Sequence, residues 1–164
     1  GYDLVFPNAK VWSNQAHWEW AMRPNPREKA SFLEENLLPI ERSGHLHFIP
    51  HAEEVTSTTL GFDVLFVDGH TEKQMIPIIP YKGETVVFMA DLLPTAGHVP
   101  VPYVMGYDTR PLITMEEKAL FLQQAADNDF LLFLEHDAHN PLIRVQHTEK
   151  GVRLKSTHAL ETYF

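Results

Sequence analysis

Two short runs of this chain, Thr85-Val86-Val87-Phe88-Met89-Ala90 and Phe130-Leu131-Leu132-Phe133-Leu134, are apolar almost throughout. Successive side chains of a strand point to opposite faces, so runs of this kind fit strands that are covered on both sides. Between them, residues 114–127 read as one long helix. Thr114-Met115-Glu116-Glu117 has the form of a capping box, with Glu117 placed to reach back to the cap. Leu120, Phe121, Gln124 and Ala125 are expected on its inner side. Doubly covered strands and an intervening helix predict a layered α/β (α+β) fold, a mixed β-sheet flanked by helices.

The rest of the chain supplies further pieces. Residues 9–13 read as a strand, and Ser13 or Asn14 is placed to cap a helix over Gln15–Met22 that carries Trp18 and Trp20. Pro24 and Pro26 break that helix, and Pro26 suits the first turn of another over 27–38. Leu46-His47-Phe48-Ile49 reads as an edge strand stopped by Pro50, followed by a polar segment over 51–59. Residues 62–67, Gln74–Tyr81 and 85–90 read as strands, the last two joined as a hairpin through Lys82-Gly83-Glu84. Residues 143–148 and 152–155 form a final hairpin around Lys150-Gly151.

With 164 residues, the chain suffices for one domain and is short for two. It carries 22 acidic against 13 basic side chains, a formal net charge of -9, which argues against nucleic acid as a partner. No run approaches the ~18 apolar residues of a membrane span. The start lacks the basic and apolar regions of a signal peptide, which makes cytoplasm the expected location. There are no cysteines, so any metal must be held by imidazole and carboxylate; the ten histidines are the compositional anomaly.

Three predicted strands end at residues of that kind. His70 follows 62–67, Asp91 follows 85–90 and His136 follows 130–134. Strand ends on one edge of an α/β sheet gather into a common crevice, where ligands bind. Single histidines at strand ends are ordinary solvated residues and Asp91 could cap a turn; the threefold repetition points to a metal site. In the loop 92–108, His98, Tyr103, Tyr107 and Asp108 are candidates for lining a substrate pocket, His98 as a donor to a developing oxyanion. Glu72 and Asp137 neighbour the histidines and could orient their rings.

Asp68-Gly69-His70-Thr71, Met89-Ala90-Asp91 and Leu134-Glu135-His136-Asp137 together resemble, in order and spacing, the third, fourth and fifth metal motifs of the metallo-β-lactamase-fold hydrolases. Phe6-Pro7-Asn8-Ala9 and the Trp-containing helix are similar to the segment after the second motif in the lactonase-like branch. The resemblance implies an αβ/βα sandwich. It implies that His70 ligates one metal, His136 the other, and that Asp91 bridges both and holds a hydroxide between them. The implied activity is hydrolysis of a lactone, ester or related bond of a small molecule. The implied cofactors are two divalent metals, zinc first among them.

The family's His-x-His-x-Asp-His signature is absent. The pair His45-Leu46-His47 falls too late in the chain, and Phe48 to His51 do not complete the signature. The expectation is therefore a single truncated domain, with 1–60 a remnant of the N-terminal half and 61–164 the C-terminal half. Left with about two protein ligands per ion, where zinc sites usually have at least three, the fragment should bind metal weakly or not at all and be inactive. Apolar faces laid bare by truncation should drive self-association. Two other readings are a non-catalytic module of the same fold that binds a partner, and a mononuclear site in which His45 and His47 join His70.

Overall fold

In the computed structural model, which describes residues 2–51 and 54–164, the chain forms two units, Gly1–Glu53 and Glu54–Phe164. The division falls before the third strand.

In the first unit, β1 (Val11–Ser13) runs into α1 (Gln15–Met22). The Asn14 side chain accepts the His17 backbone N–H at 2.9 Å and so fixes where α1 starts. Trp12 lies in β1, and Trp18 and Trp20 in α1; Trp18, Ala21 and Ile49 are the buried apolar residues. The predicted helix over 27–38 is displaced to α2 (Glu34–Arg42). Asn25 Oδ1 accepts the backbone N–H groups of Arg27 and Glu28, and the Glu28 carboxylate accepts Trp20 Nε1–H at 2.8 Å. This side-chain knot holds the Pro26 region in turns, with Pro39 inside the helix that follows. β2 (Leu46–Phe48) pairs with β1 in parallel.

The second unit is a seven-stranded sheet in simple sequential order: β3 (Val55–Ser57), β4 (Asp63–Val67), β5 (Gln74–Tyr81), β6 (Glu84–Phe88), β7 (Leu131–Phe133), β8 (Leu142–Thr148) and β9 (Gly151–His158). β3 lies in the stretch read as a polar segment, of which residues 52 and 53 fall outside the described residues. Every neighbouring pair is antiparallel except β6 and β7, which are parallel and connected through α3 (Pro111–Asp127). β4 and β6, both antiparallel to β5, therefore run the same way as β7. The C-terminal ends of β4, β6 and β7 open on one edge of the sheet.

α3 begins at Pro111 and not at Thr114, because proline suits the first helical position. Glu117 does not reach back to a cap. Its carboxylate accepts the backbone N–H groups of Asp68 and Gly69, beyond the end of β4. Phe121, Leu122 and Ala125 face inward, while Leu120 is exposed. They join Leu65, Val67, Ile76, Val87, Met89, Leu132, Leu134, Ile143 and Val145 of the sheet region in one core. Val86, Leu131 and Leu142 are buried separately, with the stacked rings of Phe88 and Phe133 nearby. The two apolar runs are thus covered on both faces, as their composition required.

Candidate metal centre

Gly69 carries the first half of the site. A Cβ there would lie 2.3 Å from the backbone N of Thr114 and 2.5 Å from its Cα, so only glycine lets the end of β4 approach α3 this closely. Backbone pairing then locks the next residue: the Gly69 carbonyl accepts Arg110 N–H at 2.8 Å, and the His70 carbonyl accepts Thr109 N–H at 3.1 Å. Arg110 Nη1 donates to the Asp68 carbonyl, and Lys73, at φ 48°, turns its N–H onto the Asp68 carboxylate. Burial opposes ionisation of Asp68, yet the Lys73 hydrogen bonds and the nearby positive charges hold it below the usual carboxylate range. Burial pushes the Glu117 carboxyl up.

His70 points one ring nitrogen each way. Nδ1–H donates to Asp108 Oδ1 at 2.9 Å, and the Asp108 side chain is fully enclosed. Nε2 lies 3.5 Å from Asp91 Oδ2. Nε2 and the Asp91 oxygen thus face each other across a gap that a proton or a shared cation can occupy. Asp91 stands two residues after Met89, whose N–H still pairs with the Phe133 carbonyl. Ala90 between them sits at φ 42°, a left-handed conformation costly for a residue with a Cβ. That turn sends the carboxylate toward both histidines. Asp91 Oδ2 also accepts Gln74 Nε2–H at 3.1 Å, and Oδ1 lies 3.2 Å from His136 Nε2.

His136 is half exposed, and its loop is tied down by the residue after it. Asp137 accepts N–H bonds from Ala96, His139 and Asn140 at 2.9–3.0 Å, which outweigh the cost of burial and lower its pKa. Glu135 Oε1 is 3.5 Å from His136 Nε2. Asp91, Glu135 and His136 can each offer a donor atom within 4.8 Å of the others.

The structure thus brings His70, Asp91 and His136 together, and it reassigns the residues around them. Glu72 pairs with Arg110 at 2.6 Å, and Asp137 accepts backbone N–H groups from its own loop and from Ala96. Asp108, read as a pocket residue, is the carboxylate that fixes the His70 ring. Its aspartate lies 38 positions away, so no local spacing marks it. Tyr103 and Tyr107 are exposed, and His98 Nδ1 lies 2.8 Å from Thr95 Oγ1. Burial, then the Lys118 charge, pushes the His98 pKa down. His45 Nδ1 lies 2.9 Å from the Ala9 carbonyl and His47 packs on the Trp12 ring. Glu135 went unnoticed beside a histidine that did not.

No family model matches the sequence, and no curated protein matches it. Among solved structures, the dizinc quorum-quenching lactonase AidC, in complex with an acyl-homoserine product, superposes with a TM-score of 0.77 at 18% identity, over 96% of this chain and 58% of that one. A probable metal-dependent hydrolase from Staphylococcus aureus gives 0.73 at 23% identity, over 96% and 56%. An N-acyl homoserine lactone hydrolase with product bound at its catalytic metal centre gives 0.61 at 17%, over 81% and 49%. The chain has the metallo-β-lactamase fold. It spans about half the length of these structures. In the metallo-β-lactamase fold of this chain, the aligned strand ends of β4, β6 and β7 are the edge that carries the three residues. No helix among the described residues is long and apolar enough to cross a membrane.

Proposed function

We propose that this chain supplies part of a dinuclear metallohydrolase site acting on a lactone, ester or related bond of a small molecule. The observation that carries the reading is the placement of Asp91, one oxygen toward each of two imidazoles. His70 would hold one ion and His136 the other, with the Asp91 carboxylate shared between them and Glu135 able to add an oxygen beside His136. Zinc fits this imidazole–carboxylate set and is the ion named for AidC. Such ions, when bound, supply Lewis acidity, lowering the pKa of water and polarising a carbonyl oxygen. Asp108 favours the His70 tautomer that carries its proton on Nδ1 and turns the Nε2 lone pair toward Asp91, and the Gln74 amide steadies the Asp91 carboxylate. His98 remains the candidate donor to the developing oxyanion, with Tyr103 and Tyr107 as candidate substrate contacts.

Each ion needs ligands beyond those that His70, Asp91 and His136 provide, so residues 1–164 alone are expected to bind zinc weakly and to leave substrates intact. Calorimetric titration with zinc, on this chain and its Asp91→Asn variant, tests the site. Detectable binding lost in the variant is the expected result; equal binding by both sinks the assignment, and tight binding of two ions by residues 1–164 overturns the incompleteness. A panel of homoserine lactones and simple esters, offered to this chain and to a longer product of the same gene, tests the reaction.

A further inference from the structure

Lys118 is buried in the middle of α3, 1 % exposed, among Thr114, Phe121 and Leu122. A side chain there could be apolar, and burying an ammonium costs free energy unless each of its hydrogens is bonded. Here the three donors meet three carbonyls: Lys118 Nζ donates to the backbone oxygens of His98 at 2.9 Å, of Pro100 at 3.5 Å and of Tyr103. All three belong to the long connection between β6 and α3, whose one regular piece is a short turn at Ala96–His98. A connection of that length needs internal anchors if it is to hold a side chain in place. Five residues past Tyr103, the same segment presents Asp108 to His70.

We propose that Lys118 is a positioning residue for the candidate metal centre: by gathering the carbonyls of His98, Pro100 and Tyr103 it fixes the loop that delivers Asp108 to the His70 imidazole. The inference rests on the reading of His70 as a ligand, but its mechanical content concerns the metal-free protein. A planar guanidinium does not reproduce the three-way convergence of an ammonium on carbonyls, so arginine is no substitute. The loop clamp and the His70–Asp108 bond are separate contacts, and the proposal is that the first sustains the second.

The test reads the imidazole itself. In histidine-labelled, metal-free protein, nitrogen–proton correlation spectra are expected to show His70 as a single tautomer with a protected Nδ1–H, a signal assigned by its loss in Asp108→Ala. Lys118→Met is expected to lose that protection, with amide exchange at Thr109 and Arg110 faster by about tenfold or more. Leu122→Ala, which removes apolar packing one turn along the same helix but neither the donor nor any of the three acceptors of the clamp, is the control for general loosening and should retain the signal. If Lys118→Met does not fold, Lys118→Gln, with two donors and similar length, is measured in the same way. A His70 signal that is unchanged in the folded Lys118 variants, or lost equally in Leu122→Ala, overturns the proposal. Equal zinc binding by this chain and its Asp91→Asn variant would overturn the reading of the site and leave the imidazole result standing.

Discussion

His70 is the residue on which the site turns, because its two nitrogens are committed to different partners, Asp108 on one side and Asp91 on the other. Removing the orienting carboxylate in Asp108→Ala frees the ring to rotate and change tautomer. Zinc affinity is expected to fall by about 10- to 100-fold in chelator competition; an unchanged affinity would reduce Asp108 to a packing residue. His70, Asp91 and His136 were legible in the sequence because each follows an apolar strand. Asp108 and Lys118 were not, since a buried charge gains its meaning from partners far away in the chain. Lys118 also has a signature of its own in pH. Burial lowers its pKa to about 8, against an opposing pull from Asp108, with His98 the other titratable group beside it. Between about pH 8 and the ordinary lysine value of 10.5, the unfolded chain binds a proton that the folded chain does not. Stability attributable to this residue therefore rises with pH across that window, by up to about 3 kcal/mol, and the full penalty applies below it. Urea midpoints of the parent should climb relative to those of Lys118→Met as pH rises through the window; parallel profiles would contradict this.

At the scale of elements, the junction between the end of β4 and α3 governs where His70 stands. Gly69→Ala places a methyl group against the backbone of Thr114, which cannot yield as a flexible side chain would. Denaturant unfolding is expected to show a loss of about 2 kcal/mol or more, and an unchanged midpoint would mean that the helix shifts freely. Cap and proline signals and strand composition told where many elements lie: the helix Gln15–Met22 and the strand Gln74–Tyr81 stand with the bounds read from sequence. Helix beginnings were harder. Glu117 has the right spacing for a capping box, but the bare N–H groups after β4 are its partners instead. Leu33 caps α2 without a side-chain bond, so no local signal announced that start. Three-residue β3 is too short to establish an alternation.

Across the whole molecule, convergence of the three strand ends follows from direction alone: two antiparallel steps and one parallel step align β4, β6 and β7. Pairing direction depends on contacts between segments distant in sequence, so strand composition alone does not give it; the gathering of strand ends on one edge was expected from the layered α/β pattern. The two units differ in what holds them. Few apolar residues are buried in the first, chiefly Trp18, Ala21 and Ile49, whereas a continuous core runs between sheet and α3 in the second. The first is therefore expected to unfold at lower urea, giving an emission transition that precedes the far-ultraviolet dichroism transition; coincident curves would show one cooperative unit. All of the chain's indole rings, at Trp12, Trp18 and Trp20, lie in that first unit. Intrinsic fluorescence accordingly keeps watch over the half that lacks His70, Asp91 and His136. A reporter such as Phe133→Trp, in β7, would add an indole to the unit that carries those three residues.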